Sequence, residues 1–317
     1  MGRLEIRPFS EEHLPDAATL LAERHERQIA LQPALSGDVD FRAEVEELWH
    51  RAGTSGCAAL DDGRVVGYLI AWSRPGERWG PNVWVEAAGH AATEPEIVRD
   101  LYACAADRWV ERGLTSHFAL VPATDAGLVD AWFRLGFGAQ SANGIIALDR
   151  APTTRADGVH IRHASEDDLD ALLTLSPILG AHHNVAPVFA HGRRHGDEET
   201  RTLIRQDLAS PDAVDLVAEI DSRIVGTLVV RPAQRSETHA GLASPAGAAL
   251  LAFAVTAPHV RGRGAGIALT NAGFAWARER GYETMVVDWR ETNLLSSRFW
   301  PHRGFERTFL RVHRLIA

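Results

Sequence analysis

The chain has 317 residues, enough for two cores of ordinary size. Hydrophobic residues make up 45% and charged ones 24%, and no apolar run approaches the roughly 18 residues that span a bilayer, which excludes a membrane-spanning helix. The net charge of −9 speaks against a nucleic-acid partner, which needs a basic face; all 33 basic residues are arginine, a compositional bias that asks for no functional reading.

The chain opens on Leu4-Glu-Ile6-Arg7, an alternating strand, and Ser10-Glu-Glu, a helix N-cap whose carboxylates suit the positive end of the helix dipole. No apolar stretch of a secretory signal stands there, so nothing reads as cleavable. A hairpin follows, with Asp61-Asp62-Gly63 between two β-branched runs, then a helix closing at Trp109-Val-Glu-Arg-Gly113 and a segment closing at Trp132-Phe-Arg-Leu-Gly136-Phe137. Cys57 and Cys104 are the only cysteines and lack metal-ligand spacing, so a reduced, cytoplasmic setting without a structural disulfide is expected. RAPTTRADG, near Asp149 to Asp157, is polar and aperiodic and reads as a boundary.

The same order then returns. Val159-His-Ile161-Arg162 and Ser165-Glu-Asp-Asp repeat the opening, Ile161 standing 155 residues after Ile6. Ser222-Arg-Ile-Val-Gly226 repeats Gly63-Arg-Val-Val-Gly67 at a distance of 159, and Gly281 and Gly304-Phe305 repeat Gly113 and Gly136-Phe137 at 168. Offsets that only grow mean lengthened loops around one element order, hence a duplication: a degenerate copy over 1–150 and a second copy over 158–317. The second copy is predicted to run strand (159–163), helix (166–176), loop (176–197), helix (198–209), strands (213–220 and 223–231) and a buried strand (248–256). A long helix (264–280), a strand (283–289), a helix (293–302) and a closing strand (305–315) complete it. This is a mixed sheet flanked by helices, of the α/β (α+β) class.

The buried strand Ala248 to Val255 leads through Pro258 into Arg261-Gly262-Arg263-Gly264-Ala265-Gly266, and a helix begins at once with Ile267, Leu269, Ala272, Phe274 and Trp276. Strand, glycine-rich turn and helix make an anion site: small residues let phosphate reach the backbone amides, and the arginines add positive potential. The loop lacks the Gly-Lys-Ser/Thr end of a Walker A sequence and is no clean GxGxxG, so by itself it equally fits a turn that packs helix on sheet.

Asn293, Ser296, Phe299-Trp300 and Gly304-Phe305 follow in order, and with them residues 159–317 resemble the GNAT acetyltransferase superfamily. Its cofactor signature, Arg/Gln-x-x-Gly-x-Gly/Ala, is met by Arg261, Gly264 and Gly266. The tandem arrangement is similar to that of mycothiol synthase. The resemblance implies two tandem GNAT-like acyl-CoA N-acyltransferase domains, acetyl-coenzyme A (acetyl-CoA) as co-substrate and no metal. Under it, the amides of Gly262, Arg263, Gly264, Ala265 and Gly266 would hold the pyrophosphate. The strand end from Phe253 to Val255 would pair with the pantetheine arm and aim an amide at the thioester oxygen; Val255 lies three positions before Pro258, where the family usually has two. Asn293 and Ser296 would contact the arm. The family often has a tyrosine at the position of Trp300 to protonate the departing thiolate; indole cannot do so, and Trp300 is expected to pack against the cofactor.

A base must take the proton of an ammonium acceptor. Asp288, ending its strand, and Glu219 are the candidates, and each equally reads as a plain solvated or paired carboxylate. His182, His183, His191 and His195 share the loop 176–197; Gly192 and Gly196 deny the latter two a common helix face, so a substrate lid is expected there in place of a metal. In the first copy Thr93-Glu94-Pro95-Glu96-Ile97-Val98 stand where residues 261–266 should, and Asp125 where Asn293 should; with no glycine and two carboxylates, no pyrophosphate is expected to bind. The expectation is an N-acetyltransferase whose C-terminal copy acts on a small-molecule amine, with no nucleic acid or membrane as partner. A sensor that binds acyl-CoA without turnover is the alternative.

Overall fold

In the structure, a computed structural model that describes residues 4–35, 38–75, 79–154, 156–190, 196–236, 239 and 241–316, both strand-to-helix entries form as their sequences ask. Ser10 and Ser165 stand in extended backbone before a 3₁₀ turn, and their amides donate to the side chain three residues on: to His13 Nδ1 at 3.0 Å and to Asp168 Oδ2 at 2.8 Å. The chain divides into two compact units, one of residues 1–143, 241–245 and 307–317, the other of 144–240 and 246–306.

In the first unit, strands β1 (Glu5–Pro8), β2 (Ser55–Asp61), β3 (Arg64–Ala71) and β5 (His90–Ala92) pair antiparallel in that order. β4 (Asn82–Val85) runs parallel to β6 (Ser116–Pro122). Helices α1 (Leu14–Leu31) and α2 (Phe41–Trp49) bury Leu14, Leu21, Val45 and Leu48 with Tyr68 and Ile70 of β3. Helices α3 (Pro95–Glu111) and α4 (Ala126–Arg134) bury Leu101, Trp109 and Trp132 with Leu69 and Val121. β7 (Gly138–Ala147) gives its first residues to this unit and its last to the other.

The second unit contains β8 (His160–His163), α5 (Leu169–Leu175), α6 (Pro177–His183), α7 (Asp197–Leu208), β9 (Val214–Ile220) and β10 (Arg223–Pro232). Then come β11 (Ala249–Thr256), α8 (Ala265–Glu279), β12 (Thr284–Arg290) and α9 (Ser296–His302), and the strand order is β12-β11-β10-β9-β8. The repeat reaches fine detail. β3 and β10 each shift register one step before a glycine, Gly67 and Gly226. A Cβ on Gly67 would stand 3.3 Å from Leu101 of α3, and one on Gly226 3.2 Å from Leu269 of α8, so each glycine lets the same helix turn close on its hairpin.

Two features depart from the sequence expectation. The loop expected over 176–197 contains helix α6, started by Pro177 at its first position, where the missing N–H costs nothing; His191 and His195 lie outside the described residues. The closing strand β13 (Glu306–Leu315) forms where predicted, but from Arg307 on it serves the first unit, antiparallel to β6 with Val312 opposite Ala119. The alternation of apolar residues sets which face of a strand is buried and is silent on which neighbour it takes.

Candidate active site

Parallel strands β11 and β12 pair only at Ala249 with Met285 and Leu250 with Val286. Beyond that point they run on to Thr256 and Arg290 without pairing to one another, and Ala252, Phe253 and Ala254 become half-exposed. β11 keeps its other edge on β10, up to Thr256 opposite Gly226. The peptide groups it turns toward β12 are thus left for a ligand that lies along the strand, and Phe253 and Val255 both belong to that stretch.

The glycine loop closes the same end. Gly262 and Gly264 take φ of +83° and +88°, left-handed values that glycine adopts without cost, and a Cβ on Gly264 would meet Ala156 at 3.0 Å. Among the described residues, the amides of Gly262, Gly264, Ala265, Gly266 and Ile267 have no backbone acceptor, while those of Arg261 and Arg263 turn back to Pro258 and Val260. Free amides at the start of a helix of 15 residues are an anion-binding arrangement, and Arg261 and Arg263 stand exposed beside them. Phe299 of α9 backs the loop: a Cβ on Gly266 would lie 3.4 Å from its ring. Trp300 is buried, edge-on to Phe299 at 4.9 Å and to Phe305 at 5.7 Å between centroids, so its indole is core. Diphosphate chemistry fits these residues, as does an arm laid along β11.

The two carboxylates part company. Asp288 is exposed near the end of β12, at the mouth of the divergence. Glu219 lies on β9, two strands from β11, where Arg162 donates to it at 2.9 Å and His160 stands at 3.2 Å. Those bonds, His160 first and Arg162 next, lower its pKa and hold it as a committed ion-pair partner.

Asn293 departs from its expected contact with the cofactor arm. It is buried, and its Oδ1 accepts from the amides of Leu295 at 3.1 Å and Ser296 at 3.4 Å, capping α9. The same oxygen meets His182 Nε2 at 3.1 Å, and Asn293 Nδ2 meets His183 Nε2 at 3.4 Å. Burial, then Arg290 and His182, push the His183 pKa down, against Asp288. Sequence reading grouped the two histidines with the acceptor side but missed this junction; the helix-starting Pro177 was the available signal.

The first unit has the same divergence and closes it. After Val85 and Ala119, β4 and β6 stop pairing, and β5 continues on β3 alone. Across the gap His90 Nε2 donates to the carbonyl of Leu120 at 2.9 Å, and the buried Arg24 guanidinium of α1 donates to the carbonyls of Ala87 and His90. Burial lowers the Arg24 pKa to about 10; burial and Arg24 lower that of His90 to about 3. At the head of α3, Pro95 has no N–H, and the amides of Thr93 and Ile97 are taken by Val66 and Glu94. Asp125 Oδ1 caps α4 through Leu128 N at 2.9 Å, as Asn293 caps α9.

Residues 183–305 match the model of the acetyltransferase (GNAT) family. The fold agrees over nearly the whole chain. A GCN5-related N-acetyltransferase from Sphaerobacter thermophilus superposes with a TM-score of 0.62 at 15% identity, covering 98% of this chain and 95% of that one. A tandem GNAT protein from the clavulanic acid biosynthesis pathway gives 0.50 at 17%, covering 98% and 97%. The glucosamine N-acetyltransferase region of a fungal multi-domain β-N-acetylglucosaminidase gives 0.55 at 14%, covering 99% of this chain and 38% of that one. The chain is thus built of two tandem GNAT-like domains. No curated protein matches the sequence. Among the described residues no helix is long and apolar enough to cross a membrane.

Proposed function

We propose that the chain is an N-acetyltransferase that moves an acetyl group from acetyl-CoA to a primary amine of a small molecule, in the cytoplasm, with its active site in the copy over 158–317 and a structural copy over 1–150. The observation that carries this reading is the unpaired stretch of β11 and β12 ending beside five amides that have no backbone acceptor among the described residues. Gly262 to Gly266 would take the diphosphate, Phe253 and Val255 the pantetheine arm, and an amide of that stretch the oxyanion of the tetrahedral intermediate. Ser296 opens α9 on the cofactor side, and Asn293 and Trp300 hold α9 in place behind it. Asp288 would attract the ammonium group of the acceptor; Glu219, held by Arg162 and His160, serves the fold. The fungal neighbour's glucosamine and the net charge of −9 favour a cationic amino sugar or polyamine as acceptor.

Titration calorimetry with acetyl-CoA, followed by a thiol-release assay over glucosamine, spermidine, ethanolamine and neamine, tests it. Saturable heat and amine-dependent thiol release are expected, and absence of heat removes the reading. Heat without thiol release from any amine supports instead a sensor of acyl-CoA, which the buried Trp300 in place of a phenol favours.

A further inference from the structure

The amide of Asn293 cannot turn over. Two backbone N–H groups, of Leu295 and Ser296, point at one of its side-chain atoms; both are donors, so that atom is the oxygen. The ring nitrogen that meets this oxygen, His182 Nε2, must then carry a proton. The nitrogen of Asn293 is a donor only, so His183 Nε2, which faces it, must offer a lone pair. The two adjacent imidazoles are therefore fixed in opposite tautomers. His183 keeps its hydrogen on Nδ1 and has its lone pair engaged. His182 keeps its hydrogen on Nε2, and its Nδ1 lone pair has no partner among the described residues.

We infer that His182, held in this tautomer by Asn293, is the general base that takes a proton from the acceptor ammonium at the mouth between β11 and β12. This deepens the acetyltransferase reading and rests on it. The imidazole Nδ1 accepts one proton from R–NH3⁺. The freed nitrogen lone pair forms the C–N bond to the thioester carbonyl, the C–S bond breaks with its electron pair on sulfur, and the second proton shed by nitrogen neutralises the thiolate. His182 returns its proton to water. Among the described residues, the charged or titratable groups around the histidine pair are Asp288 and Arg290 of β12; on α5, Asp170 is turned toward Arg201 at 3.8 Å. Asp288 holds the ammonium near, and burial, with Arg290 beside it, lowers the His183 pKa and favours the neutral ring. Asn293 is a positioning residue, the part an amide or carboxylate plays toward a catalytic histidine in other hydrolytic and transfer sites.

His182→Gln keeps a polar side chain of similar reach and cannot take a proton. With the amine of the panel that turns over fastest, kcat should fall about 100-fold or more, with acetyl-CoA affinity within twofold. The acid limb of the wild-type pH–rate profile should vanish. Imidazole added to His182→Ala should restore part of the rate. A rise in KM with kcat unchanged, or a retained acid limb, overturns the proposal and leaves α6 a lid. Nitrogen-15 spectra of the histidines give a readout apart from activity: His182 should show the Nε2–H form and His183 the Nδ1–H form, and the reverse overturns it. A wild-type protein that binds no acetyl-CoA sinks the function reading instead, which the calorimetry alone decides.

Discussion

The two units carry the same divergence of strands and treat it in opposite ways. In the second, β11 and β12 separate and their peptide groups stay open beside a run of free amides. In the first, β4 and β6 stop pairing, β5 stays on β3, and the gap is filled by protein: His90 reaches Leu120, and Arg24 satisfies the carbonyls of Ala87 and His90. A peptide group turned away from its sheet must find a partner. Under the proposed function the open stretch takes that partner from a ligand, while the first unit supplies it from its own side chains. The open and the filled divergence differ by one arginine, one histidine and a handful of glycines.

The sharpest way to break this comparison is to carry the first unit's chemistry into the second. Gly266→Glu sets a carboxylate in the first turn of α8, where helices accept it, and a Cβ 3.4 Å from Phe299. Acetyl-CoA affinity measured by calorimetry should fall on the order of 100-fold or more, roughly 3 kcal/mol, while thermal melting changes little. The converse change, Arg24→Met, leaves two buried carbonyls unpaired and should cost roughly 2 kcal/mol or more in denaturant unfolding, without creating a second binding heat. A second heat would show that the first unit retains a usable site.

His90 sharpens the comparison through pH. Its folded pKa is lowered to about 3 by burial and by Arg24, from an ordinary 6.5. Below about 6.5 the unfolded chain takes up a proton that the fold refuses, so stability is full above that pH and declines as the pH falls toward about 3. The slope reaches at most about 1.4 kcal/mol per pH unit, and thermal melts across the window, compared with His90→Leu, report it. The smallest effect belongs to Trp300→Phe. With no proton to give, Trp300 contributes packing against Phe299 and Phe305, so turnover should stay within about threefold and stability should fall by about 1–2 kcal/mol.

What the sequence showed and what it hid divide by distance along the chain. The serine caps, the Asp62-Gly63 and Asp221-Ser222 turns and the loop from Arg261 to Gly266 are written in adjacent residues, and each forms where its pattern places it. Arg24 and His90 meet across 66 residues, His182 and Asn293 across 111, and nothing in either segment names the other. Glu219 stands as a candidate base with a paired carboxylate as the alternative, and the pairing is hidden because Arg162, which holds it, lies 57 residues earlier. The want of glycine in the first copy was legible at Thr93 to Val98; the bonds of Arg24 and His90 across the gap were not.

The assignment of Arg307 to Ala317 to the first unit has a consequence for synthesis. Ribosomes deliver a chain from its N-terminus at about 5–20 residues per second, and domains commonly close as they emerge. Here the unit that begins first lacks the edge partner of β6 until Phe309 to Leu315 appear, a wait on the order of ten seconds or more. Through that interval an apolar strand edge stands open to passing chains, so the nascent protein calls for chaperone cover longest at the end that leaves the ribosome earliest.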